Sequence, residues 1–191
     1  MNFLAHLYLS GNDEEILVGN LLGDFMKGRK INSFDDKIAK GIELHRKIDY
    51  FTDKHYLVIQ SKQRLRPLFK HFAPVIADVY YDHFLASNWT NYSDVPLKEF
   101  TKWCYDILRK YKELFPPRFQ QALIYMRFRN LLLSYSKISG IDFAFERISI
   151  RTSHSSNLNN ATKELMNNYE SYYAEFEIFF PELQDYVKAI I

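Results

Sequence analysis

Gly41-Ile-Glu-Leu-His45-Arg-Lys-Ile-Asp49-Tyr-Phe-Thr-Asp53 sets three titratable side chains four apart in a segment whose other anchors are Ile42, Leu44, Ile48 and Phe51. Four residues on a 3.6-residue period turn a side chain by only about 40°, so His45, Asp49 and Asp53 fall on one stripe of a helix. The same spacing joins Asn20 to Asp24 and Asp78 to Asp82. Asp24 sits in Leu21-Leu22-Gly23-Asp24-Phe25 and Asp82 in Val79-Tyr80-Tyr81-Asp82-His83-Phe84-Leu85, and neither segment offers a polar face of any width. Apolar helices exclude such groups. Converging carboxylates need a cation or protons, because bare they repel one another and lose solvation worth several kcal/mol per buried charge. Oxygen and imidazole ligands together suit Mg²⁺, Mn²⁺, Fe or Zn²⁺, and the carboxylate excess favours the harder ions.

The rest of the chain agrees with packed helices. Its 191 residues suffice for one substantial core, so a single domain over residues 1–191 is expected. A hydrophobic share of 47% excludes disorder, and 6 Gly and 6 Pro beside 16 Phe and 14 Tyr fit an all-α protein better than a turn-rich β one. The lone Cys104 cannot close an internal disulfide, which suggests a reducing, cytoplasmic setting. Met1 to Ser10 lacks the basic start and cleavage site of a signal peptide, and no apolar run is long enough for membrane insertion. The acceptor-like Asn88-Trp-Thr90, Asn91-Tyr-Ser93 and Asn160-Ala-Thr162 are then coincidental. A net charge of +2 argues against bulk nucleic-acid binding.

Periodicity predicts a short helix through Leu4, Leu7 and Leu9, a break at Gly11-Asn12, and a longer helix from Ile16 to Phe25. Ser33 followed by Asp36 resembles a capping box opening the His45 helix. Further helices are expected from Tyr56 to Leu65, stopping near Pro67, from Pro74 to Trp89, and from Pro96 to Phe115. Two more are expected over Phe119–Tyr135 and Ile141–Ile150, then a loop from Ser153 to Asn160. A helix from Ala161 to Phe180 and a short one after Pro181 complete the chain.

Four ordered blocks, Met1-Asn-Phe-Leu-Ala-His6, Gly19-Asn-Leu-Leu-Gly-Asp24-Phe, Gly41 to Asp53, and Asp78-Val-Tyr-Tyr-Asp82-His83-Phe-Leu-Ala86, strongly resemble the acyl carrier protein phosphodiesterases. The likeness runs from Met1 to about Leu97, with Pro117-Arg118-Phe119 a weaker echo. It implies a helical bundle of about eight to ten helices, similar to the HD-type metal phosphohydrolases. The implied reaction is hydrolysis of holo acyl carrier protein to apo carrier and 4'-phosphopantetheine, with Mn²⁺ or Mg²⁺. Here the adjacent dyad reads Asp82-His83, the reverse of the usual His-Asp order, so ligands cannot be copied across from HD enzymes.

On this reading Asp24, His45, Asp82 and His83 are the expected metal ligands, with His6 and Asp78 as further candidates. The plain alternative for His6 is a core histidine satisfied by one hydrogen bond. Asp49 and Asp53 are expected to add a ligand, serve as general base, or orient His45, and Arg46 to clamp phosphate with its two-pronged guanidinium. Acyl carrier proteins are small and acidic as a class, so Lys27, Arg29 and Lys30, or Lys62, Arg64, Arg66 and Lys70, are candidate docking patches, against the plain reading of solubilising charge. Competing readings are a phosphohydrolase of a small nucleotide or phosphoester, and a catalytically silent module that binds a carrier protein.

Overall fold

Every regular element among the described residues is helical. The structure, a computed structural model, describes residues 1–26, 34–151, the last by its backbone alone, and 157–191. Helix α1 spans Phe3–Leu9 and α2 Glu14–Leu22, the latter continued by a 3-10 turn at Gly23–Phe25. They are followed by α3 (Asp36–Lys54), α4 (Tyr56–Phe69), α5 (Ala73–Ser87), α6 (Leu97–Lys110), α7 (Pro117–Phe128), α8 (Leu131–Ser134), α9 (Ile138–Arg151), α10 (Ala161–Asn167) and α11 (Tyr169–Lys188). The all-α class read from the sequence is therefore the observed one. No described helix is long and apolar enough to cross a membrane.

Helix α5 explains why Val79 to Leu85 has no polar face. It packs against α1, α4, α9 and α11, and every residue from Val79 to Ala86 is buried. A helix apolar all round belongs in the middle of a bundle.

The contact that positions the site is between α2 and α3. A Cβ added at Gly19 would lie 2.1 Å from the Ile38 carbonyl oxygen, and one at Gly41 would lie 2.3 Å from the Ile16 carbonyl oxygen. Backbone therefore meets backbone, drawing Asn20 and Asp24 toward His45 and Asp49.

Several boundaries differ from the periodic reading, among them a break at Asn168 that divides the expected Ala161–Phe180 helix into α10 and α11. Helix α11 runs through Pro181, because Phe176, Phe179, Phe180, Leu183 and Val187 are buried on both sides of it. That burial, at roughly 1.5–3 kcal/mol per large side chain, outweighs about 3 kcal/mol for an internal proline. Helix α4 likewise continues two residues past Pro67, with Phe69 buried at its end. The segment expected as one helix to Tyr135 is split where Asn130 takes a left-handed conformation at φ 46°, which ends α7 and starts α8. Ser33 of the expected capping box lies outside the described residues, and Asp35 is the residue flanking α3.

Candidate metal centre

His6 of α1 is buried beside Asn20 of α2, and the hydrogen bonds between them assign its protonation. Asn20 Nδ2 donates to the His6 carbonyl oxygen and to Ser10 Oγ, each at 2.9 Å, which leaves Asn20 Oδ1 as the acceptor 2.8 Å from His6 Nδ1. The proton therefore sits on Nδ1 and Nε2 presents a lone pair. That lone pair is buried without a hydrogen-bond partner and faces Asp49 Oδ1 at 3.3 Å. Two acceptors this close call for a proton or a cation between them. Burial, opposed by Asp49 and reinforced by His45, holds His6 below the usual imidazole range.

His45 stacks on His6, ring centroids 4.3 Å apart and planes 23° off parallel. Its Nε2 lies 3.1 Å from Asp49 Oδ2, one helical turn along α3, and 3.6 Å from Asp24 Oδ1. The ring fits only because residue 23 is glycine: a Cβ there would lie 2.3 Å from His45 Cγ. Asp49 is half-buried; burial pushes its carboxyl up, but His45, His6 and the Met1 ammonium outweigh that and hold it well below the usual carboxylate range. Ligand atoms of His6, His45 and Asp49 lie within 4.8 Å of one another, an arrangement compatible with a divalent metal ion. Asp24, half-exposed, also lines a cavity of about 380 Å³ with Asp78. That cavity shares Asn2, Phe3, Phe25 and Ile148 with an apolar one of about 410 Å³, which continues to Arg118 and Arg147.

A family model for acyl carrier protein phosphodiesterase matches residues 1–183. The chain belongs to that family. An acyl carrier protein phosphodiesterase of Pectobacterium atrosepticum is 31% identical over 98% of both chains. One of Klebsiella pneumoniae is 31% identical over 96% of this chain and 95% of its own. One of Escherichia coli is 32% identical over 97% of this chain and 96% of its own. No solved structure matches significantly. The match reaches into α11, so the likeness extends well beyond Leu97.

In this member of the acyl carrier protein phosphodiesterase family several expected ligands have partners outside the His6–His45–Asp49 cluster. Asp82 is fully buried, and its oxygens accept the backbone N–H groups of Leu4 at 2.8 Å and Ala5 at 3.2 Å, so it caps the start of α1. Asp78 lies 3.3 Å from the Met1 ammonium. Asp53, a turn beyond Asp49, pairs with Lys62 at 2.7 Å near the end of α3. His83 points elsewhere: adjacent helical residues diverge by about 100°, and its Nδ1 donates to the Tyr135 carbonyl oxygen at 2.7 Å while Tyr169 Oη donates to Nε2 at 3.3 Å.

Among the basic residues, Arg46 is exposed on α3, about 100° round from His45, so its placement lends the phosphate clamp no support. Arg64 donates to the buried Glu175 at 2.9 and 2.5 Å and lies over the Tyr172 ring, which makes it a tie between α4 and α11 rather than a free docking cation. Arg66 is exposed, and Lys27, Arg29 and Lys30 lie outside the described residues. Sequence reasoning paired Asn20 with Asp24 by spacing but missed that the Asn20 amide sets the His6 tautomer. A buried amide beside an apolar helix was the available signal.

The placement of His83 makes a testable pH dependence. Burial, opposed by the bond to Tyr135, lowers its pKa below the usual imidazole value. The unfolded chain then takes up a proton below about pH 6.5 that the folded ring resists, so this part of the stability is full above that pH and lost as pH falls further. His83→Gln, which keeps a donor and titrates nothing, should show a shallower fall in melting temperature between pH 7 and pH 5 than the parent protein. Parallel curves for the two would overturn the assignment.

Proposed function

We propose that this chain, as one domain over residues 1–191, hydrolyses the phosphodiester that links 4'-phosphopantetheine to the serine of holo acyl carrier protein, releasing apo carrier. The observation that carries the reading is the buried, unpartnered Nε2 of His6, facing the Asp49 carboxylate in a cluster whose Asp24 lines a cavity, in a chain of the acyl carrier protein phosphodiesterase family. His6, His45 and Asp49 would hold a divalent ion, Mn²⁺ or Mg²⁺, with Asp24 at the cavity rim as a further oxygen ligand or the base for the attacking water. A bound divalent ion supplies two things a phosphodiester anion needs, an acidified water and neutralised phosphoryl charge. Asn20 fixes His6 in the tautomer that offers Nε2, and the His6 ring in turn fixes the plane of His45. The apolar cavity running from Phe25 toward Met126 would keep the pantetheine arm in line while the phosphate sits at Asp24. The carrier substrate and the buried free Cys104 agree with a cytoplasmic enzyme.

The test is the mass of purified holo carrier after incubation with the protein and Mn²⁺, with and without chelator. Loss of the prosthetic group only when the metal is available supports the reading. An unchanged carrier alongside turnover of small phosphoesters would favour a small-molecule phosphohydrolase, and binding with no turnover of either would favour a silent carrier-binding module.

A further inference from the structure

We infer that the acidic carrier docks on the outer face of α7 and the end of α6, a surface carrying none of the basic clusters singled out by the sequence motifs. From Leu114 to Ile141 the chain contains no Asp or Glu, and its charged residues are Arg118, Arg127, Arg129 and Lys137. Within that stretch Phe128 and Ile124 are the most exposed large hydrophobic side chains among the described residues, at 82% and 72%. They are four apart on α7, with Arg127 between them, so one face combines two apolar anchors and a cation. A cavity of about 510 Å³ opens beside them, rimmed by Arg109 at the end of α6 and Lys112 in the turn that follows. Arg109 has no ion pair among the described residues, while Arg127 reaches Asp106 only at 3.4 Å and Lys112 reaches Glu113 only at 3.5 Å.

Exposed apolar anchors ringed by Arg and Lys are complementary to an acidic, amphipathic surface rather than to another cationic one. The inference rests on the proposed carrier substrate and adds where that substrate sits. Its geometry relative to the site is favourable. The opposite face of α7, through Phe119, Ala122 and Met126, lines the apolar cavity that leads to Asp24. A carrier on the outer face is therefore about one helix diameter, roughly 10 Å, from the channel its arm must enter.

The experiment uses the full chain with Arg109→Glu and Arg127→Glu combined, with Phe128→Ser as a second variant and Arg66→Glu as a surface-charge control. Binding of apo carrier, which has no prosthetic group to lose, is measured by calorimetry, and hydrolysis of holo carrier and of bis(p-nitrophenyl) phosphate is followed separately. The double variant and Phe128→Ser should each weaken Kd for apo carrier and raise KM for holo carrier by about tenfold or more, with kcat and small-diester turnover unchanged. Unaltered Kd and KM would overturn the docking surface, as would an equal loss in Arg66→Glu or a parallel loss on the small diester. Should the parent protein fail to cleave holo carrier, the proposed reaction falls, yet the apo-carrier Kd still decides the docking surface.

Discussion

His45→Ala is expected to remove hydrolysis of holo carrier and high-affinity Mn²⁺ binding together. His45 is the ring on which the cluster converges: Asp49 and Asp24 approach its Nε2, and His6 stacks against its face. Losing a partner that merely orients a ligand costs about 10–100-fold in metal affinity or activity, and loss of a ligand should exceed that. Titration calorimetry with Mn²⁺ and carrier mass analysis read the two effects independently. A variant that binds Mn²⁺ normally and turns over at the parent rate would remove His45 from the site. His6→Ala should act in the same direction, because it deletes the unpartnered Nε2.

Asp82→Ala, by contrast, should damage the fold. It would strip the acceptor from two N–H groups at the buried start of α1, each of which costs about 1–3 kcal/mol when left unsatisfied. Set against a total stability of about 5–15 kcal/mol, a loss of about 2–6 kcal/mol would lower the melting temperature by roughly 5–20 °C. Asp82→Asn keeps an acceptor and should lose less. Burial, against the Leu4 and Ala5 N–H groups and the Met1 ammonium, pushes the Asp82 carboxyl up to about 7, above an unfolded value near 4. The folded state then holds its proton longer, so this residue's contribution is full below about pH 4 and is lost as pH climbs through about 7. Asp82→Asn should remove that loss on the alkaline side. A normal melting temperature in Asp82→Ala together with abolished turnover would instead return Asp82 to the chemistry.

The two expectations show what helical spacing could and could not tell. The four-residue repeats His45–Asp49 and Asn20–Asp24 were legible; His45 meets Asp49 and Asp24 in the structure, while Asn20 joins the cluster only through His6. Asp78–Asp82 has the same spacing in an equally apolar helix, yet Asp82 caps α1 and Asp78 faces an ammonium. Periodicity along one helix cannot reveal that the blunt end of another will need a carboxylate. His6 was ambiguous for a related reason, since its lone pair acquires meaning only once α1 lies across α2 and α3. The all-α class followed from composition and period, whereas the run of α11 through Pro181 depended on five buried side chains whose partners lie far away in sequence.

The closeness of α2 and α3 has a consequence for how the centre can vary. Asn20 and Asp24 ride on one side of the Gly19–Gly41 crossing, His45 and Asp49 on the other, and only hydrogen atoms lie between the two backbones there. The crossing is a shim of zero thickness that sets, from outside the cluster, how far Asn20 and Asp24 stand from His45 and Asp49. A methyl group added at either glycine would push α2 from α3 and move those two pairs apart without replacing any of them.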